Sequence, residues 1–180
     1  MRVTNLADAP AAETVTFAPV VHVRLDGKDQ PVGAIGSMRI AAPASRVWAV
    51  VSDVDSFASK VPMISRIKRD GDRVTVQLKF KVAFLSVGFE FVADATREEG
   101  RRLDLRWVSG EPRAMFLGFE IVPGADANEC VLHVRGAFDV HSLGWLAKYF
   151  LKHHPEIEFG IYPGVVLVLL DSMRRAALEK

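Results

Sequence analysis

Alternating apolar and polar residues dominate the middle of the chain. The clearest stretch is residues 73–82, RVTVQLKFKV, in which every second residue is apolar. Successive side chains of a strand point to opposite faces of a sheet, so this pattern predicts a strand with one buried face. Similar stretches follow at residues 87–94, 102–107, 115–121 and 132–140. Short turns such as Glu99-Gly100 and Pro123-Gly124 separate them, which predicts an antiparallel meander.

Helical periods flank the predicted meander on both sides. Before it, Pro43 suits the first turn of a helix that ends near Ser52-Asp53, and a second short helix covers residues 55–60. After it, the apolar period predicts one helix over residues 143–153 and another from about Pro163 to Leu178. These elements predict an α+β fold.

The first 32 residues differ from the rest. Residues 1–12 are rich in Ala and Pro, and alternation from Val15 to Leu25 predicts an extra strand or arm. We therefore expect an N-terminal tail and arm over residues 1–32 and one domain over residues 33–180.

Composition and charge restrict the class of protein. The 180 residues include 23 Lys and Arg against 22 Asp and Glu, so the net charge is +1, and no basic excess indicates a nucleic-acid partner. The single cysteine, Cys130, permits neither an internal disulfide nor a cysteine-based zinc site. No secretory leader is recognisable, and residues 159–170 form an apolar run too short to span a membrane. We expect a cytoplasmic protein.

The opening of the predicted domain carries a family resemblance. Residues 37–53, SMRIAAPASRVWAVVSD, give a strand, then Ala-Pro, then Val-Trp and an Asp that ends the first helix, and Val61-Pro62 follows the second helix. This pattern resembles the START-like (SRPBCC) superfamily, in particular its polyketide cyclase/dehydrase and lipid-transport branch. The resemblance implies a helix-grip fold, in which a curved antiparallel sheet wraps around a long C-terminal helix. It also implies an apolar pocket, without choosing among carriers, receptors and enzymes.

The predicted inward face of the sheet is rich in aromatic residues and Met, which favours a ligand cavity over a simple core. A fold of this kind places such residues against the last helix. We expect the following to contact a ligand: Phe80, Phe89, Phe91, Leu105, Trp107, Met115, Leu117, Phe119, Leu132, Val134 and Phe138 from the sheet, with Leu169 and Met173 from the last helix.

The same alternation leaves the inward face without catalytic groups. It assigns the charged residues to the outer, solvent-facing side: Glu90, Asp104, Glu120, His133 and Arg135. General acid–base catalysis needs a titratable group within reach of the substrate, so we name no catalytic residue and favour a non-enzyme. The cluster His153, His154, Glu156 and Glu158 matches no familiar metal motif, and we expect neither a metal nor another cofactor.

Three functions remain open from the sequence. The leading hypothesis is a carrier or sensor of a lipid, quinone, polyketide or similar apolar molecule. The alternatives are a polyketide-type cyclase or dehydratase, and an interaction module with a closed cavity. The sequence identifies neither the ligand nor the oligomeric state.

The helix predicted over residues 143–153 has two different faces. One apolar face, formed by Leu143, Leu146, Ala147 and Phe150, should pack on the domain. The opposite face combines aromatic and basic residues, a combination suited to the surface of an anionic bilayer: Trp145, Lys148, Tyr149 and Lys152. Packing of Trp145 and Tyr149 on the N-terminal arm or on a second subunit is the competing interpretation.

Overall fold

One eight-stranded antiparallel sheet organises the protein. The computed structural model describes residue 11, residues 14–82 and residues 85–179, without the side chains of residues 80–82, 85, 86 and 146. The strands follow one another in the sheet in the order β1-β2-β8-β7-β6-β5-β4-β3. Their bounds are β1 Val20–Leu25, β2 Pro31–Ile40, β3 Ile64–Asp70, β4 Arg73–Val82, β5 Leu85–Glu98, β6 Arg102–Gly110, β7 Arg113–Pro123 and β8 Cys130–Asp139.

In the described part of the chain, four α-helices cover the inner face of this sheet or its rim. Helix α1 (Ala44–Ser52) and α2 (Phe57–Lys60) lie between β2 and β3. Helix α3 (Gly144–His153) follows β8, and the long α4 (Glu158–Leu178) ends the fold. The predicted helix-grip fold is confirmed, including the two short helices after the first long strand.

Helix α4 packs against one half of the sheet. Its neighbours are β1, β2 and β8, and two glycines on those strands permit close contact. A Cβ atom on Gly36 would lie 2.4 Å from Cγ1 of Val166, and one on Gly136 would lie 3.3 Å from Cγ2 of the same valine. The absence of these side chains seats the helix deeply on β2 and β8, which leaves space in front of the other half of the sheet.

The start of α4 differs from the prediction. The helix begins at Glu158, five residues before Pro163, which lies inside it. A proline early in a helix removes a single backbone hydrogen bond, and Phe159 and Ile161 continue the helix on its N-terminal side. Proline was therefore a poor marker of the boundary here.

Four charged or ionisable residues that were assigned to the solvent-facing side of β6, β7 and β8 are buried, which corrects the sequence interpretation. The strand register places Asp104, Glu120, His133 and Arg135 on that side as expected, yet all four are buried. Long neighbours cover them: the guanidinium groups of Arg106 and Arg135 both lie 5.2 Å from the centroid of the Phe116 ring. Packing among outer-face neighbours removes these polar groups from water.

Candidate ligand-binding cavity

An apolar cavity of about 340 Å³ lies in the space that α4 leaves free. Ligand pockets span roughly 300–1,000 Å³, so its volume is at the small end of that range. The cavity expected from the sequence is therefore present. Every described residue in its wall is apolar, which distinguishes it from a site built around fixed charges.

Each wall of the cavity comes from a different part of the fold. Strands β3 to β8 form the back, and α2 with the turn before it closes one side. Helix α4 contributes the front through Ile161, Val165 and Leu169, and α3 covers the cavity through Ala147 and Phe150. One face of α4 forms this wall and another packs on β2, because side chains three to four residues apart share a helix face.

Seven of the sequence-predicted residues line the cavity. They come from β5, β6, β7, β8 and α4: Phe89, Phe91, Leu105, Met115, Leu117, Phe138 and Leu169. Their contact with a ligand is part of the proposal below. The Phe80 side chain lies outside the described residues.

The other five predicted residues do not line the cavity. Phe119 packs edge-on against Phe57 at 5.9 Å between ring centroids, in the core under α2. Three more belong to the deep core: Leu132, Val134 and Met173. Trp107, at the end of β6, donates its indole N–H to the carbonyl of Gly110 at 3.1 Å. Phe119, Leu132 and Val134 share the inward direction of the lining residues but belong to the packed core.

Several lining residues were missed because they lie outside the inward set of the meander. Met63 and Ile67 belong to the strand after α2, whose alternation is interrupted by basic residues. Leu143, Ala147 and Phe150 were assigned to the packing face of their helix, correctly, but without a role in the cavity. The helical spacing of those three was the available signal.

A polar cluster on the outer face stands apart from the cavity. The Ser37 hydroxyl and Nδ1 of His133 are 2.7 Å apart across β2 and β8, and Glu120 is paired with His133 across β7 and β8. Burial, the repulsion of Arg135 and the opposing attraction of Glu120 leave the pKa of His133 lowered, with burial the largest cause. These groups resemble a nucleophile, base and acid, but Ser37 is buried on the face opposite the cavity.

The remaining candidate chemistry is also remote from the cavity wall. Burial raises the pKa of the Cys130 thiol to about 11, so the thiolate form is disfavoured. The two glutamates of the cluster at residues 153–158 pair with different histidines: Glu156 with His154 at 3.2 Å, and Glu158 with His141, which lies outside the cluster, at 3.1 Å. Among the described residues, no group of three or more potential ligands could hold a metal ion.

The outer face of α3 is exposed. Trp145 is 78% exposed and Tyr149 58%, and Lys148 and Lys152 lie on the same side. The rings of Tyr149 and His153 lie 4.7 Å apart, which extends the aromatic surface along the helix. No helix in the described part of the chain is long and apolar enough to cross a bilayer.

A curved antiparallel sheet that grips a C-terminal helix, with an apolar cavity between them, defines the START-like class of proteins. The chain belongs to the polyketide cyclase/dehydrase and lipid transport family, whose sequence profile matches residues 40–154. No curated protein matches the chain.

Solved structures show the same fold at low identity. A conserved protein from Geobacillus kaustophilus is 13% identical with a TM-score of 0.63, over 79% of this chain and 93% of its own. The Zhui aromatase/cyclase from a Streptomyces species is 16% identical with a TM-score of 0.53, over 89% and 93%. A START superfamily protein from Mycobacterium smegmatis is 17% identical with a TM-score of 0.50, over 73% and 97%.

Proposed function

We propose that this protein is a carrier or sensor that binds one neutral, apolar small molecule, such as a lipid, quinone or polyketide, in the cavity. The observation that carries the proposal is the fully apolar wall around a space of about 340 Å³. Burial of apolar ligand surface supplies the affinity, at roughly 25 cal/mol per Å². The proposed compartment is the cytoplasm, where the buried Cys130 thiol would stay reduced.

The wall also determines which ligands are disfavoured. An ionised group inside this cavity would lose its hydration and find no charged or hydrogen-bonding side chain among the lining residues that the structure describes. A charged headgroup must therefore remain outside, and the buried part of the ligand must be hydrocarbon or aromatic. The family to which the chain belongs includes lipid transport proteins by its description, which agrees with this ligand class.

Titration with the neutral fluorescent probe N-phenyl-1-naphthylamine tests the proposal. We expect saturable uptake of one probe per chain, with the blue-shifted emission of an apolar site. Leu117→Asp should weaken uptake at least about tenfold, because an ionised carboxylate in the wall costs several kcal/mol and each 1.4 kcal/mol is tenfold. Leu117 lines the cavity from β7.

The matched control places the same charge outside the cavity. Val108 is an exposed apolar residue on β6, and Val108→Asp should take up the probe like the wild type. Equal uptake by both variants, or uptake by neither while both remain folded by circular dichroism, would contradict a specific role for the cavity.

A polyketide-type cyclase or dehydratase is the second candidate. The family description and the Streptomyces aromatase/cyclase among the structural neighbours favour it. Such chemistry needs a proton donor or acceptor, or hydrogen-bond donors for an enolate oxygen, within reach of the substrate. None of the described lining residues offers one from its side chain. Conversion of a poly-β-ketone thioester to a cyclised product by the purified protein would favour the enzyme.

We further propose that a membrane is the place of loading, through weak peripheral contact with an anionic bilayer. The docking surface is the outer face of α3, formed by Trp145, Lys148, Tyr149 and Lys152. Exposed indole and phenol rings suit the headgroup region, and the two lysines complement anionic lipid. This surface adjoins the cavity because the opposite side of α3 forms part of its wall.

A further inference from the structure

Helix α3 is held to the rest of the molecule mainly at its two ends. Leu151 is its only buried side chain among those that the structure describes, whereas α4 buries eight. Phe150 lines the cavity and is nevertheless 43% exposed, so its side chain contacts both the cavity and solvent. Elements with few buried contacts open locally at low free energy.

The chain before α3 is firmly attached to the sheet. The Ser142 hydroxyl accepts a hydrogen bond from the backbone N–H of Arg113 at 2.7 Å and donates to the carbonyl of Asp139 at 2.6 Å. Gly144 is the first residue of α3. Its φ of 72° lies in the left-handed region that glycine adopts without strain. The backbone therefore changes direction at the start of α3, two residues after Ser142, which its hydrogen bonds hold in place.

The chain after α3 is attached in the same way. Helix α3 ends at His153, Pro155 follows two residues later, and α4 begins at Glu158. The Tyr162 hydroxyl donates to the carbonyl of Phe138 at 3.0 Å, which ties the first turns of α4 to the end of β8. The chain is therefore hydrogen-bonded to the strands of the sheet both before and after α3.

One contact between an imidazole and a carboxylate joins the two ends of this segment directly. Nε2 of His141, before α3, lies 3.1 Å from Oε1 of Glu158, after it, and the Glu158 side chain is buried. A second pair of the same type, His154 with Glu156 at 3.2 Å, connects residues on one side of the helix only and is exposed. The first pair therefore connects the chain before α3 to the chain after it, and the second pair does not.

We propose that α3 is the gate of the cavity and that the His141–Glu158 pair is its latch. The gate rests on the proposed function, because it regulates access to the same cavity. Movement of α3 about Gly144 and Pro155 would take Ala147 and Phe150 out of the wall and open a path to the interior. The latch lowers the population of the open state without contacting the ligand.

Stopped-flow mixing with N-phenyl-1-naphthylamine tests this, on the full chain. Glu158→Gln replaces the carboxylate of the latch by a neutral amide and weakens its contact with His141. The association and dissociation rates should therefore both rise about threefold, the effect of one partly exposed polar contact, with the dissociation constant unchanged. Glu156→Gln is the matched control and should leave both rates at the wild-type values. In Glu158→Gln, amide hydrogen exchange should become faster in α3 and stay unchanged in the C-terminal half of α4. In Glu156→Gln it should stay unchanged in both.

The outcomes separate the gate from the proposed function. Wild-type rates and unchanged α3 exchange in Glu158→Gln would overturn the gate while probe binding still supports the carrier. A faster dissociation with unchanged association would also overturn it, because that result indicates a damaged cavity. Absence of probe uptake by the wild type would overturn both.

Discussion

His133 is an ionisable residue in an environment that disfavours its charge. Its pKa is lowered from the usual 6.5, first by burial and then by Arg135, against the attraction of Glu120. The unfolded chain therefore takes up a proton at higher pH than the folded chain. Stability contributed by neutral His133 is fully present above pH 6.5 and is lost as pH falls below that value.

We predict that acidification destabilises the wild type more than a His133→Asn variant. At pH values between the pKa of His133 in the unfolded chain and its lower pKa in the folded chain, the free energy of unfolding should fall as the pH falls. The decrease is up to about 1.4 kcal/mol per pH unit for this one proton. Urea unfolding at pH 7.5 and pH 5.0 measures it. His22→Asn, which changes an exposed histidine on β1, should keep the wild-type pH dependence. The same pH dependence in all three proteins would show that His133 does not control this loss.

The buried state of His133 illustrates what alternation cannot predict at a single residue. Period two correctly assigned it and Arg135 to the outer face, because the face depends only on the local backbone. Exposure depends on what the neighbouring strands place alongside, here Phe116 and its two arginine partners. That information lies in the register between distant strands, which a single strand pattern does not contain.

Among the secondary-structure elements, the strands β4 to β8 were predicted well and β3 was not predicted. The residues that the helices contact were predicted less well. The meander has a strong period and clear turns, and both follow from local sequence. The cavity wall depends instead on where α4 sits, which the close approach at Gly36 and Gly136 determines. Phe119 and Met173 have the same inward pattern as Leu117 and Leu169, yet only the latter two reach the cavity.

Helix α3 is the element whose surface most directly suggests a partner. We predict that the protein co-sediments weakly with vesicles containing anionic lipid and not with neutral vesicles. The aromatic rings on the outer face of α3 bind only weakly by themselves, and its lysines add attraction to anionic headgroups. Trp145→Ala combined with Lys148→Glu should remove the binding.

The control for charge is Lys68→Glu, on the exposed side of edge strand β3, which should bind like the wild type. Equal binding by wild type and by the α3 variant would contradict the membrane surface while leaving the cavity intact. Concentration-dependent dimerisation that the α3 variant abolishes would assign this surface to a second copy instead.

At the scale of the whole molecule, the fold divides the sheet between two tasks. Strands β1, β2 and β8 hold α4 through tight packing, and the strands from β3 to β7 bound most of the free space. Interiors normally pack as densely as organic crystals, so an apolar space of about 340 Å³ is unusual unless it is occupied in use. The central claim is that one apolar molecule occupies it.

Native mass spectrometry shows whether such a molecule occupies the cavity. The protein is incubated with a total lipid and quinone extract, separated from free lipid, and measured beside Leu117→Asp treated identically. We predict a wild-type complex with one small apolar molecule, recoverable in organic solvent, and a bare variant chain. A bare wild-type chain, or equal loading of both proteins, would contradict the account.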